Sequence, residues 1–169
     1  MAGDGPPEQG DPVPGERWRV LSWSGGSAFD KRVTDPVRSA QMALVRDKDT
    51  KPEMVVRRLV HSFGYRFRLH RNDLPGKPDI VLPRHRIAIE VRGCFWHQHP
   101  DPSCWRSRLP KTRPEFWLPK LTGNVARDRT NEAALKNLGW ELLVVWECET
   151  VPTRRKKLKQ QLWEFLQSG

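Results

Sequence analysis

Cysteine is scarce in this 169-residue chain, which has three, and tyrosine is scarcer still, at one. An odd number of thiols resists complete pairing, and the opening stretch MAGDGPPEQGDPVPGE lacks the basic-then-apolar layout of an export signal. A disulfide framework is therefore not expected. In a reducing cytoplasm, the expected setting, such cysteines serve as metal ligands or core residues. Long apolar runs are also missing. The longest is of the LLVVW kind, far below the roughly 18 residues of a membrane span and suited to a buried strand. Two independent catalytic domains are excluded by length, since one core ordinarily occupies about 100–200 residues.

Acidic residues are in the minority. Thirty Lys and Arg against twenty Asp and Glu leave a net charge of +10, which favours nucleic acid over an acidic membrane surface as the partner. Eight Trp and six Phe are too many apolar rings for a disordered chain, even at 37% hydrophobic content. Residues 1–35 hold six of the twelve Gly and four of the fifteen Pro, and read as a flexible leader that leaves Trp18 and Trp23 unexplained. The leader has four basic and six acidic residues, so residues 36–169, with twenty-six basic and fourteen acidic, carry +12. The folded part is more basic than the whole.

A short helix is expected within 36–45, on an arm reaching to about residue 50. Thr50 then precedes KPEMVVRRLVHSFG and can cap a helix, with Pro52 in the first turn, Glu53 completing a capping box and Gly64 ending it. Met54, Val55, Leu59 and Phe63 recur at helical spacing and are expected to face the core. YRFRL, DIVL and RIAIEVRG read as strands, with a turn at NDLPGKP. GNVARDRTNEAALKNLG reads as a helix closed by Gly139, WELLVVWE as a central strand, and Leu158, Leu162, Phe165 and Leu166 mark a last amphipathic helix. This order predicts an α/β fold, a mixed sheet with helices on both faces.

Cys94, His99 and Cys104 follow a strand with the spacing Cys-x4-His-x4-Cys, and Cys148 ends the LLVVWEC segment. Zinc takes four soft or borderline ligands in a tetrahedron, so these four form a candidate structural zinc site, with His97 as a fifth claimant. The alternative is buried thiols beside an exposed imidazole. Separately, Asp79 enters one strand, and Glu90 and Arg92 lie two apart on the next, on one face of it. Two carboxylates can hold magnesium, which offsets phosphate charge and orients a nucleophilic water, with a cation beside the scissile phosphate. His97 is a candidate to accept a proton from that water, and Asp128 to orient the imidazole. Each group alone also fits an ordinary cap, core or surface role.

Taken together these residues resemble the very short patch repair endonucleases, bacterial DNA mismatch enzymes. The resemblance covers roughly residues 35–167 and is carried by LPGKPDIVL, GCFWHQHPDPSC, RPEFWLPKLTGNVARDR and LGWELLVVWEC. It implies a restriction-endonuclease-like fold, Mg²⁺ as catalytic ion, Zn²⁺ as structural ion, and a nick 5′ of the thymine in a T:G mismatch left by 5-methylcytosine deamination. A cytosine-5 methyltransferase is the implied companion, with a repair polymerase and ligase downstream, all at the bacterial nucleoid. Asp79 matches the family's magnesium ligand, His97 its catalytic histidine, Asp128 the acidic partner and Glu53 a helix glutamate near the active site. Cys94, His99, Cys104 and Cys148 match the zinc ligands. Phe95, Trp96 and Trp117 match an aromatic wedge entering the duplex, Met42 a residue intercalating from the other groove, and Lys120 and Asn124 the contacts to the mismatched pair.

Ring stacking of about 1–3 kcal/mol per base offsets much of the cost of opening a base step, and a mismatch lowers that cost. The chain departs from the resemblance where a second active-site histidine is expected and Arg92 stands, and where an uncharged residue is expected and Glu90 stands. Arginine stays protonated and cannot act as a general acid or base, but it can stabilise a pentacovalent phosphate; Glu90 becomes a candidate metal ligand. The HPDPSC segment is also longer than the resemblance implies. Three other readings stay open: a same-fold restriction-type endonuclease cutting matched or modified DNA, a non-catalytic zinc-stabilised DNA-binding module, and a basic metalloprotein with no nucleic-acid role.

Overall fold

A computed structural model describes residues 48–168. The leader, the 36–45 helix expectation, Trp18, Trp23 and Met42 lie outside these residues. Helix α1 (Lys51–Ser62) starts as its sequence dictates: Thr50 is the N-cap, Pro52 lies in the first turn, and Thr50 and Glu53 form the reciprocal capping box. Gly64 (φ +88°) follows α1 and Gly139 (φ +73°) follows the second long helix, left-handed positions that an L side chain resists. The buried stripe of α1 is Glu53, Val56, Arg57 and Val60. Of the residues expected to face the core, Val55, Leu59 and Phe63 are partly covered and pack against it, whereas Met54 is partly covered and is not among the core-packed residues. Arg57 can join the buried stripe because it is ion-paired within the protein, which removes the cost of burying it alone.

Four strands follow in the order β1 (Arg68–Leu69), β2 (Ile80–Leu82), β3 (Ile87–Arg92) and β4 (Glu141–Trp146). β1, β2 and β3 are antiparallel neighbours and β3 pairs parallel with β4, a mixed sheet as expected. Of YRFRL only Arg68 and Leu69 pair; Tyr65 and Phe67 pack on the core instead, and the Tyr65 hydroxyl donates to the Leu166 carbonyl at 2.9 Å. β4 is not central. It lies at the end of the described sheet, and its apolar character on both faces reflects cover on both sides.

Strand alternation sorts the core into two layers. Ile80, Leu82, Ile87, Ile89 and Val145 meet Val56 and Val60 of α1 and Leu158, Leu162 and Leu166 of α3 (Arg155–Ser168). Val81 and Ala88, pointing the other way, meet Leu74 and Leu135 of α2 (Pro114–Asn137). Helices thus cover both faces. α2 begins nine residues before the expected start at Gly123 and runs through Pro119. A proline normally breaks a helix interior, but buried Trp117 and Leu121 anchor the turn on either side of it.

Candidate active site

Antiparallel β2 and β3 bring the acidic residues together. Extending the register Ile80↔Ile89 by one step sets Asp79 opposite Glu90. Asp79 Oδ2 accepts a 2.7 Å hydrogen bond from the Val91 amide, which fixes the carboxylate at the strand end. Burial pushes its pKa from 3.8 up to about 6, with Glu53 and Glu90 adding to the rise and the Val91 amide and Arg57 opposing it. Glu90 and Arg92 share a face, as two-residue spacing requires. Arg92 Nε and Nη2 donate to Glu90 Oε2 at 3.0 and 2.5 Å. Burial raises the Glu90 pKa against the pull of Arg92.

From the loop after β3, His97 Nδ1 lies 2.7 Å from Asp128 Oδ2 on α2. With the shared proton on Nδ1, the carboxylate holds the ring and leaves Nε2 as the basic nitrogen. His97, Asp128, Asp79, Glu90, Arg92, Glu53 and Trp96 all line one cleft of about 540 Å³. Glu53, Asp79, Glu90, Asp128 and Glu147 line it together with Lys77 and Arg92, an acidic centre in a basic protein. A phosphodiester enters such a cleft favourably only with a cation, and hard carboxylate oxygens are the donors Mg²⁺ takes. Asp79 and Glu90 fit that ion.

Three residues of this neighbourhood were not singled out in the sequence. His70, in a left-handed conformation (φ +45°), lies between Glu53 and Asp79, with Nδ1 3.7 Å from Asp79 Oδ1 and Nε2 3.0 Å from Arg57 Nη2. Glu132 accepts from Arg92 Nη1 at 2.6 Å across 40 residues of sequence. Arg57 donates to Glu53 Oε2 at 2.8 Å and also pairs with Asp49; only this pair was foreseeable, as an i,i+4 contact on α1.

The rings gather beside the cleft. Phe95 packs edge-on against Trp96 and Trp117, with centroids 5.1 and 5.2 Å apart. Trp117 is 7% exposed and forms the floor; Phe95 and Trp96 are half-buried, and Phe116, which the sequence did not single out, is 45% exposed. Lys120 Nζ stands 5.3 Å from the Trp96 ring, and Asn124 Nδ2 donates to the Trp96 carbonyl at 3.0 Å. Gly93 permits the loop to close, since a Cβ there would come within 3.3 Å of Trp96 Cδ1.

Cys94, Cys104 and Cys148 are buried with their sulfurs within 4.8 Å of one another. His99 packs edge-on against Trp146, its backbone amide donates to the Cys94 carbonyl, and its Nδ1 is buried without a hydrogen-bond partner among the described residues. His97 is engaged by Asp128 instead. Burial raises the Cys94 and Cys148 thiols, an effect that a bound cation reverses by deprotonating its ligands. The three clustered thiols are soft donors of the kind zinc takes, while His99, whose Nδ1 lacks a partner, is not brought into the cluster with them.

The family model described as DNA mismatch endonuclease Vsr matches residues 30–104, which include Glu53, Asp79, Glu90, Arg92 and the Cys94–Cys104 loop. The DNA mismatch endonuclease Vsr of Escherichia coli is 40% identical over 130 residues, 77% of this chain and 81% of that protein. The type II nicking enzyme V.XorIIP of Xanthomonas oryzae pv. oryzae is 52% identical over 118 residues, 70% of this chain and 85% of that protein. The type II nicking enzyme V.NmeAIP of Neisseria meningitidis is 41% identical over 116 residues, 69% of this chain and 81% of that protein. With identities of this size over most of both chains, the protein belongs to the Vsr family of DNA endonucleases.

Proposed function

We propose that this endonuclease has the restriction-endonuclease-like fold and nicks one strand of duplex DNA 5′ of the thymine in T:G mismatches left by 5-methylcytosine deamination, opening very short patch repair. The observation that carries the reading is the union, in one cleft, of Asp79, the His97–Asp128 pair and Trp96. His97 Nε2 takes the proton from the attacking water while Asp128 holds the ring through Nδ1. Asp79, joined by Glu90, holds Mg²⁺, which when bound supplies positive charge at the scissile phosphate and a more acidic water. Arg92, fixed by its carboxylates, adds a permanent cation facing the phosphate. Glu53 ties the start of α1 to the Arg57–His70 side of the cleft. Cys94, His99, Cys104 and Cys148 hold Zn²⁺ and so pin the loop carrying Phe95, Trp96 and His97 to the end of β4.

Phe95 and Trp96 form the leading edge of the wedge and Trp117 supports them from below. Lys120 and Asn124 reach the mismatched pair, where a cation and an amide meet base-edge acceptors, and Met42 completes the grip from the other groove. The partners are T:G duplex DNA, a cytosine-5 methyltransferase that creates the lesion-prone base, and a polymerase and ligase that finish the repair in the cytoplasm at the nucleoid. A second reading, cleavage of matched or modified sites by the same fold, is favoured by one observation, the charged Glu90–Arg92 pair at the place of an uncharged residue and a histidine. The test is Asp79→Ala: nicking should be abolished and mismatch binding retained, and persistent nicking would remove the metal assignment. Cutting of both strands of a perfect duplex by the wild type would favour the second reading.

A further inference from the structure

Arg92 is 6% exposed, yet it touches two carboxylates rather than one. Nε and Nη2 both go to the same oxygen of Glu90, and Nη1 goes to Glu132 Oε1. A buried guanidinium needs one carboxylate to offset its desolvation; a second draws two anions to one cation and repels the first. The surplus has a use, because the two acids differ in position. Glu90 is on β3 in the acidic cleft opposite Asp79, whereas Glu132 approaches from α2, with a side chain 41% exposed, and does not line the cleft.

We propose that Glu132 is a positioning residue that keeps Arg92 paired and aimed at the cleft while Glu90 turns from Arg92 to the divalent cation at Asp79. The inference rests on the reading of Asp79 as a cation ligand. Without Glu132, Glu90 is the sole carboxylate in contact with a buried arginine, and any turn toward the cation leaves that charge only the field of the non-contacting Asp128. Glu90 then stays on Arg92, and the cation loses a ligand. With Glu132 in place the guanidinium is held through Nη1 whatever Glu90 does, so its direction is preserved between the cation-free and cation-bound protein.

The test is calorimetric titration of the full DNA-free chain with MgCl₂, on wild type, Glu132→Ala, Glu132→Gln, Glu90→Ala, Glu90→Ala with Glu132→Ala, and Asp79→Ala. Glu132→Ala should weaken Mg²⁺ binding about tenfold, the size of one charge-assisted contact, and raise the Mg²⁺ concentration for half-maximal nicking by the same factor. Glu132→Gln, which keeps a hydrogen bond but not the charge, should recover part of the loss. A mere long-range field of Glu132 would act equally with or without Glu90. In the Glu90→Ala background, therefore, loss of Glu132 should have almost no further effect on Mg²⁺ affinity. Unchanged affinity in Glu132→Ala, or additive losses in the double variant, overturns the proposal while leaving Asp79 as a ligand. Unchanged affinity in Asp79→Ala overturns both the proposal and the reading beneath it.

Discussion

At Asp79 burial and neighbouring acids act in the same direction, and the protonated side chain is the form the cation-free fold prefers. Its pKa rises from 3.8 to about 6, so its contribution to stability is complete below pH 3.8 and is lost as pH rises through about 6. Asp79→Asn cannot ionise and escapes that loss. Relative to wild type it should gain about 2 kcal/mol between pH 4 and pH 7, seen by urea unfolding in buffer without added Mg²⁺. Pale differences, with the two stability curves running parallel through pH 6, would contradict the burial argument. At this scale the sequence was readable where chemistry depends on local spacing. Thr50 with Glu53, Glu90 with Arg92, and the Cys94–His99–Cys104 run all declare themselves. His70 and Glu132 do not, because their roles exist only once β1 lies beside β2 and α2 crosses β3, across separations that no motif records.

Among the elements, α1 shows how one residue can serve both architecture and site. Glu53 accepts from the Thr50 and Asp49 amides, receives the Thr50 hydroxyl at 2.8 Å, and pairs with Arg57. Thr50→Ala should cost about 1 kcal/mol of unfolding free energy through the lost cap, and should also loosen Glu53 at the cleft edge. Urea titration reads the first effect; a stability loss below a few tenths of a kcal/mol would mean that the cap contributes little. Arg57 joins the buried stripe of α1 because Glu53 and Asp49 pair with it, and of these only the i,i+4 partner is legible in the sequence. β4 was misjudged for a related reason: two apolar faces signal cover on both sides, which two helical layers give an edge strand as well as a central one. On α2, Trp117 lies under Phe95 and Trp96, so the ring cluster is a supported edge and not three equal blades. Trp96→Ala should then reduce the preference for mismatched over matched duplex more than Phe116→Ala does, measured by competition binding. An equal preference in wild type and Trp96→Ala would exclude the wedge.

Across the whole molecule a net charge of +10 contrasts with a cleft whose own lining is acidic. On the proposed reading, basic surface would draw the duplex by counterion release, and the acidic centre would make cleavage conditional on a divalent cation. DNA affinity should fall steeply as salt rises, whereas Asp79→Ala should leave that slope unaltered. The alternation of helix and strand, the mixed sheet and the cover on both faces could all be read from periodicity. Asp79, His97, Asp128 and the Cys cluster were each candidates from residue chemistry and spacing, and their union in one site was implied by the four segments that resemble one family together. The central claim is a cation-dependent, strand-selective nick at a mismatch, and the most direct measurement is a strand-labelled assay on T:G and matched duplexes in varied flanking contexts, with Mg²⁺ and with chelator. The account predicts a single cut 5′ of the mismatched thymine, present with Mg²⁺ and absent with chelator. Cleavage of both strands of matched duplex, or a nick that survives chelation, would contradict it.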